Sequence, residues 1–139
     1  MTVRQYDPKL ITLQFAGIVV EGYADGSFVE VEQTTESFTS YGGTDGTVSR
    51  SKSSDERSMV TVKLSQTSPT NALFSALHQR DKDLPNGAGV GQFLLEDRGG
   101  SLLVRGDEAW IVSRPKLERD RTVKEQEWKI EIANTEWTI

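Results

Sequence analysis

The sequence contains no cysteine, which excludes disulfide bonds, thiol catalysis and metal sites built on cysteine. No run of apolar residues approaches the roughly 20 that a membrane-spanning helix needs, so we expect no membrane insertion by this chain. The first six residues lack the apolar segment of a signal peptide, so export by that route is not expected either. These absences favour a soluble, globular protein.

Histidine is almost as scarce, since His78 is the only one in 139 residues. A Ser-His-Asp site needs a base held against a nucleophile, and no Gly-x-Ser-x-Gly motif marks one. The stretch 87–91 is rich in glycine, but nucleotide-binding loops run from a strand into a helix, whereas here a predicted helix comes first. We therefore interpret His78 as a partly exposed helix residue and 87–91 as a flexible connection.

Acidic residues are plentiful, which leaves a hydrolase built on two carboxylates disfavoured but not excluded. Asp45, Asp55 and Asp97 stand beside turn residues, where short acidic side chains cap the backbone. The Asp-Gly pairs lack the repeated oxygen ligands of a calcium loop. We predict no enzyme activity, no cofactor and no metal site.

Basic residues are outnumbered, because 16 Lys and Arg against 21 Asp and Glu give a net charge of -5. Tight binding to duplex DNA requires clustered Lys and Arg, so it is not expected. An acidic surface repels a phosphate backbone, which lets DNA pass nearby without being held.

Short segments with strand periodicity dominate the chain. Val29 and Val31 alternate with glutamates, and Val60, Val62 and Leu64 share one face of another segment, as expected for half-buried strands. Extended segments cover 9–15, 18–21, 27–33, 36–41, 59–65, 92–96, 101–105, 108–112 and 124–132, and we expect roughly eight short strands from them. A β-prone tail follows at 135–139.

One helix is predicted, with Ser68 as its N-cap and Pro69 at its first position. Leu73, Phe74 and Leu77 give it an apolar stripe, and it should end near residues 80–82. The chain shows no βαβ alternation and no internal repeat. It is therefore expected to form one domain over 1–139 that is mainly β, an antiparallel β-sandwich or open barrel with one flanking α-helix.

The polar segment 42–57 is rich in Gly and Ser and carries both signs of charge, which indicates a long loop or a protruding hairpin. Structureless loops of this length are uncommon in compact domains and are often functional. Exposed sheet edges and the apolar tail with Trp137 and Ile139 also favour assembly, because pairing edges around a ring would cover them. An ordinary monomer whose Trp137 packs on its own core is the alternative.

Blocks along most of the chain resemble the tail tube (inner tube) proteins of contractile-tailed bacteriophages, which are similar in fold to the type VI secretion tube protein. The resemblance follows the family's order through Tyr6-Asp7-Pro8-Lys9, Gly22-Tyr23-Ala24-Asp25-Gly26-Ser27-Phe28-Val29, Gly43-Thr44-Asp45-Gly46-Thr47-Val48-Ser49-Arg50, Leu64-Ser65-Gln66-Thr67-Ser68-Pro69-Thr70-Asn71, Gly87-Ala88-Gly89-Val90-Gly91 and Ala109-Trp110-Ile111.

The resemblance implies hexameric rings whose inner sheets join into a continuous β-barrel. It implies that the rings stack into a hollow tube inside a contractile sheath, and that the tube conducts the genome. The implied partners are further copies of the chain and the sheath, baseplate and tape-measure proteins, while genomic DNA passes through without specific binding. The implied location is the virion, after assembly in the bacterial cytoplasm.

The resemblance also gives two sets of residues a role. In the family a long loop between early strands reaches a neighbouring subunit or ring, and 42–57 matches it. The residues expected to make these contacts are Thr44, Asp45, Arg50, Lys52, Asp55, Glu56 and Arg57. Glu30, Glu32 and Glu131 are expected to face the lumen, where their charge would keep DNA from sticking.

Two alternatives remain at this point. A type VI-like ring protein would share the fold. A small glycan-binding or hydrolytic β-sandwich would instead need Trp110, Trp128 and Trp137 to converge in an aromatic cleft. Because Trp128 alternates in phase with Ile130, packing in the core is favoured over a cleft.

Overall fold

The computed structural model describes residues 3–100 and 102–139. A 3-10 helix at Pro8–Leu10 leads into the strands, and one α-helix, α1, covers Thr70–Asp83. The strands are β1 (Ile11–Phe15), β2 (Ile18–Val19), β3 (Val29–Gln33), β4 (Phe38–Gly42), β5 (Val48–Lys52), β6 (Ser58–Ser65), β7 (Gly91–Asp97), β8 (Leu102–Ser113), β9 (Glu125–Ile132) and β10 (Thr135–Trp137). Met1, Thr2 and Ser101, which was predicted to open a strand, lie outside the described residues.

Most strands belong to one antiparallel sheet in the order β2-β1-β7-β8-β9-β6-β3, with β10 on β8. The sheet curls on itself, since Phe15 on β1 and Trp128 on β9, from well-separated strands, both pack against the ring of Phe74. An isolated bridge between Tyr23 and Leu64 links the chain after β2 back to β6. The prediction of a mainly β, antiparallel fold with one helix is confirmed.

Buried and solvent-facing side chains alternate along β6 and β9, and this alternation shows on which side of the sheet the core lies. Every second residue from Ser58 to Leu64 is buried, and the same holds from Gln126 to Ile132, so each strand has one inward face and one solvent face. The inward faces of the curled sheet enclose a continuous apolar cluster. Its fully buried large members include Leu13, Phe15, Leu64, Phe74, Phe93, Ile130 and Ile132.

Helix α1 covers one opening of the curled sheet through Phe74, whose ring packs edge-on against Phe15 at 5.9 Å and Trp128 at 5.5 Å. The helix begins at Thr70, one residue later than predicted, although the Ser68 hydroxyl still accepts a hydrogen bond from the Thr70 N–H at 3.2 Å. The predicted apolar stripe was too wide. Leu73 is 50% exposed, because only one narrow line of the helix reaches the core.

Two boundaries differ from the sequence-based prediction for physical reasons. Residues 102–105 and 108–112, predicted as parts of two strands, belong to one strand, because Gly106 does not turn the chain but lies flat against the side chain of Ile132, where a Cβ would collide. The polar segment 42–57, predicted as a long loop or a protruding hairpin, forms part of a hairpin. Its first part completes a two-stranded hairpin that already begins at Phe38.

Candidate assembly surfaces

The solvent side of strands β3, β6, β9 and the end of β8 forms a continuous charged surface. Cross-strand pairing sets Glu32 opposite Met59, Met59 opposite Glu131, and Glu131 opposite Trp110, in one row across the four strands. We call this surface the acidic face, with Glu30, Glu32, Met59, Thr61, Lys63, Trp110, Glu125, Glu127, Lys129 and Glu131. The structure therefore brings the three glutamates predicted to share a role onto one surface.

The charge of the acidic face is only partly compensated. Lys63 Nζ lies 4.0 Å from Glu30 Oε1, and Arg57 Nη1 lies 3.5 Å from Glu131 Oε1. Exposed pairs of this kind contribute little stability. Glu32 and Glu127 have no cation within 4.0 Å among the described residues. Five glutamates against two lysines leave the surface net negative.

A hairpin projects from the sheet between β3 and β6, and we call residues 34–57 the arm. Its strands β4 and β5 pair only with each other, and all ten of their residues are exposed. A lone two-stranded hairpin is at best marginally stable in water. Exposed Phe38, Tyr41 and Val48 add apolar surface. An arm with this composition is expected to become ordered against another surface.

The arm has two chemically different faces. Direct cross-strand pairs set Phe38 opposite Lys52, Ser40 opposite Arg50 and Gly42 opposite Val48, and these residues share one face. The Arg50 guanidinium lies 4.1 Å from the centre of the Phe38 ring, a cation–π contact. The other face carries the hydroxyl groups of Thr39, Tyr41, Ser49 and Ser51. Arg50 and Lys52 thus make one face cationic.

The tip of the arm is a tight turn that Asp45 shapes from within. Its Oδ1 accepts a hydrogen bond from the Thr47 N–H at 3.0 Å, and this bond holds the pKa of the carboxyl below its usual value. Gly46 follows with φ 88°, a conformation that glycine adopts without strain. Thr44 and Asp45, both predicted contact residues, lie at this exposed tip.

The base of the arm is closed by contacts within the chain. Arg57 donates from Nε and Nη2 to the two oxygens of Asp55, each at 2.9 Å, and Asp55 Oδ2 also accepts from the Thr35 hydroxyl at 2.6 Å. The hydrogen bonds from Arg57 and then from Thr35 hold the pKa of Asp55 far below its usual range. Asp55 in turn raises the pKa of Arg57. Asp55 and Arg57, predicted as contact residues, are paired with each other.

Glu56 points away from this base into a recess of about 260 Å³ at the end of β9. We call it the acidic recess, lined by Glu56, Asp107, Glu108, Asn134, Thr135 and Glu136. Arg105 neutralises part of it through Asp107 at 3.1 Å and Glu136 at 3.4 Å. No cation lies within 4.0 Å of Glu56 or Glu108 among the described residues.

His78 and the glycine-rich stretch 87–91, the two features considered for catalysis, are both packed against other parts of the chain. His78 is half-buried, and burial, followed by Arg114 and Lys82, lowers its pKa. In the glycine-rich stretch, the Gly89 N–H donates to Asp81 Oδ1 at 3.1 Å, so a carboxylate occupies the place where a phosphate would bind. Within the described residues, no group of three or more His, Asp or Glu side chains is arranged to hold a metal ion.

The three tryptophans do not form a cleft. Trp128 is buried, and its indole N–H donates to Asn71 Oδ1 at 2.9 Å. Trp110 lies on the opposite side of the same sheet, in the acidic face. Trp137 is on β10, paired with Val104. This arrangement disfavours the glycan-binding alternative. Among the described residues, no helix has the length and apolarity needed to cross a membrane.

The sequence did not show which strand edges are free. β3 ends the sheet, and residues 110–113 of β8 pair with β9 on one side and with no strand on the other among the described residues. Phe28 and Thr34, which flank β3, are hydrogen-bonded towards β6 and the residue before it. The Lys63 N–H donates to the Phe28 carbonyl, and the Thr34 N–H donates to the Arg57 carbonyl. In an antiparallel pair such residues alternate. Val29, Val31 and Gln33 therefore present their backbone groups to the free edge.

Comparisons with known proteins agree with this architecture. The model of the bacteriophage PhiTE tail tube protein family matches residues 14–138. The chain is 30% identical over 136 residues to structural protein ORF10 of Pseudomonas phage KPP10, and the match covers 94% of this chain and 79% of the phage protein.

Two solved structures share the fold at 10% sequence identity. One is the tube-terminating cap of the anti-feeding prophage, with a TM-score of 0.60 over 98% of this chain and 93% of the cap chain. The other is a chain of the sheath–tube complex of the extracellular contractile injection system PVC in its extended state, with a TM-score of 0.61 over 96% of this chain and 93% of that chain.

A curled antiparallel sheet with a charged open face, free edges and a projecting arm defines a structural protein that assembles through its surfaces. The family match extends over almost the whole chain and is supported by the phage relative. The chain belongs to the bacteriophage PhiTE tail tube protein family. Its role is structural, as a tail tube protein and component of the virion, and the resemblance seen in the sequence is confirmed.

Proposed function

We propose that copies of this chain close into hexameric rings, that the rings stack into a tube within a contractile sheath, and that the tube conducts the phage genome. The observation that carries this proposal is the sheet β3-β6-β9-β8, which has a charged open face. One of its edges, β3, is free, and on the other side residues 110–113 of β8 are free. Free edges are a liability that pairing removes. Edge pairing between neighbouring copies would continue the sheet around a closed ring.

The acidic face is proposed to line the lumen, with Glu30, Glu32 and Glu131 turned towards the passing DNA. Its net negative charge supports this orientation, because such a wall repels phosphates and leaves the genome free to slide. The core side of the same strands is filled by apolar side chains, so only the acidic side is available to line a water-filled channel.

The arm is proposed to contact a neighbouring copy in the same ring or in the next one. Its exposed strands, its apolar residues and the cationic face with Arg50 and Lys52 all support this role. The ion pair of Asp55 and Arg57 at the base of the arm fixes the direction in which the arm leaves the sheet. Thr44 and Asp45 place a rigid turn at the far end.

The wider partners follow from the tube role. The sheath would surround the tube, and the baseplate and tape-measure proteins would meet it at one end and inside it. Similarity to a chain of a sheath–tube complex supports a sheath partner. Assembly would take place in the cytoplasm of the bacterial host. A purely structural role without catalysis fits the membership of the tail tube family.

The edge-pairing model can be tested at Val31. Its backbone N–H points to the free edge of β3, so Val31→Pro removes a donor between copies without removing one within the chain. Val31→Ala keeps the N–H and serves as the matched control. We expect negative-stain micrographs of wild type and Val31→Ala to show rings and tubes. Val31→Pro should show neither, while its circular dichroism spectrum stays that of the folded chain. Tubes of Val31→Pro, or no rings of wild type, would contradict the proposal.

A further inference from the structure

The two ends of strand β9 carry opposite charge. Its first residue, Glu125, follows a segment of residues 114–124 that we call the basic strap, with five basic and two acidic residues in a chain of net charge -5. Its last residue, Ile132, lies beside the acidic recess, since the Ala133 N–H donates to the Glu108 carbonyl and Thr135 donates to that of Glu56. At about 3.3 Å per residue, the two ends are about 23 Å apart.

The cations of the basic strap are largely uncompensated. Arg114 donates to the Ser75 hydroxyl at 2.6 Å and to Gln79 Oε1 at 2.8 Å, both of which are neutral. Of the strap's basic residues, only Lys124 lies within 4.0 Å of a carboxylate among the described residues, namely that of Asp120. Glu125 and Glu127 line a recess together with Arg114 and Lys116 and offset this charge in part, but no ion pair within 4.0 Å joins them among the described residues.

A second, independent observation at the strap points to a missing acceptor. Arg114, Pro115 and Leu117 line a recess of about 380 Å³ together with Gln126 and Trp128. Gln126 is only 8% exposed, and its Nε2 has no hydrogen-bond partner among the described residues. A buried amide donor without an acceptor is costly, and an oxygen from another molecule would satisfy it.

We propose that the basic strap of one copy docks on the acidic recess of a second copy in the next ring, so that charge sets the head-to-tail direction of stacking. This inference rests on the proposed function. In a ring whose wall is built from β3, β6, β9 and β8, the two ends of β9 face opposite openings of the ring. Glu56 and Glu108 supply carboxylates without an internal cation, and Arg114 and Gln126 supply the donors.

Head-to-tail contact between two different surfaces also has the geometry that a tube requires. A contact of a surface with itself would join two rings face to face and stop there, whereas a heterologous contact continues without end. Like charges repel when they are brought together, so the same charges disfavour rings that meet strap to strap or recess to recess.

The test reverses the charge of one surface at a time, first that of the basic strap and then that of the acidic recess. Lys116→Glu with Arg119→Glu makes both ends acidic, and Glu56→Lys with Glu108→Lys makes both ends basic. We expect each full-length variant to form rings, with roughly a tenfold fall in the protein that pellets as tubes. Lys9→Glu with Arg98→Glu changes the net charge by the same amount as the first variant but touches neither end, and it should form tubes as the wild type does.

Mixing decides the proposal. Equal amounts of the two reversed variants should form tubes again, because acidic ends then meet basic ends, and a chain carrying all four changes should stack on its own. Tubes from either reversed variant alone, in the amount seen for wild type, would overturn the inference and leave the proposed function intact. Loss of the rings themselves would overturn it too, by placing these charges within a ring. A wild type that forms neither rings nor tubes would defeat both proposals.

Discussion

Arg57 and Asp55 form a bidentate ion pair at the base of the arm, with Nε and Nη2 of Arg57 each 2.9 Å from a carboxylate oxygen of Asp55. The pair is extended by the Thr35 hydroxyl on one side and by Glu131 on the other. It therefore connects the arm to the acidic face. Because the partners are two residues apart, their geometry depends on the chain entering β6 at a fixed angle.

Asp55→Asn is expected to loosen the arm without unfolding the sheet, since it weakens the pair with Arg57 and leaves the core untouched. Amide hydrogen exchange in β4 and β5 should become faster, while exchange in β6 and β9 stays unchanged. Ser54→Ala, at an exposed neighbouring position, is the control. Equal protection of the arm in Asp55→Asn and wild type would show that the pair does not order it.

The same pair predicts a pH dependence. The pKa of Asp55 is lowered in the folded chain from its ordinary value of 3.8, so the carboxylate stabilises the arm above that pH. The contribution is lost as the pH falls below 3.8 towards the lower folded pKa. We expect arm protection to be constant from neutral pH to about pH 4 and to fall under more acidic conditions. This fall should be smaller in Asp55→Asn, where Asp45 at the tip is the remaining arm carboxylate with a lowered pKa.

Gly22 has a positive φ of 72° and also touches Ser68 at the start of the helix, because a Cβ added there would lie 2.6 Å from the Ser68 Cβ. Gly22→Ala should therefore cost more than the roughly 1 kcal/mol that a positive φ alone costs alanine. Gly26→Ala is the matched control, with φ 85° and nothing within 4 Å of the added Cβ. Urea unfolding would measure both, and equal losses would contradict the collision.

Phe74 and Leu73 are neighbours in helix α1 with opposite surroundings. Phe74 is fully buried between Phe15 and Trp128, so Phe74→Ala should lower the free energy of unfolding by about 3–5 kcal/mol. Leu73 is 50% exposed, so Leu73→Ala should cost well under half as much. Denaturant titrations of both variants measure these free energies of unfolding. Similar losses for Phe74→Ala and Leu73→Ala would mean that the helix is rotated about its axis relative to the core.

Local patterns explain why much of the fold was predictable. Alternation in β6 and β9 identifies the buried faces, because a strand's side chains alternate wherever the strand lies. The same alternation does not reveal which strands pair, and Ser58 meets Ile132 only through the folded topology. Segments 101–105 and 108–112 were predicted as separate strands, because only the structure shows that Gly106 between them packs against Ile132. The roles of the candidate contact residues could not be predicted for the same reason. Nothing in the local sequence distinguishes Asp55, which binds Arg57, from Lys52, which forms no ion pair with any residue that the structure describes.

The acidic face offers the most direct test of how the tube treats DNA. Glu30→Lys with Glu32→Lys reverses charge at two exposed positions of β3, while Glu131 is left in place because it contacts Arg57 at the root of the arm. Lysines facing the lumen attract phosphates, so we expect purified tubes of this variant to retain short duplex DNA at low salt at least roughly tenfold more than wild type, and to release it as salt rises.

Asp25→Lys with Asp83→Lys is the control, because it changes the charge equally on exposed positions outside the acidic face and should leave DNA retention low. Co-sedimentation of DNA with tubes is the measurement, and equal retention by the two variants would show that the acidic face does not line the channel.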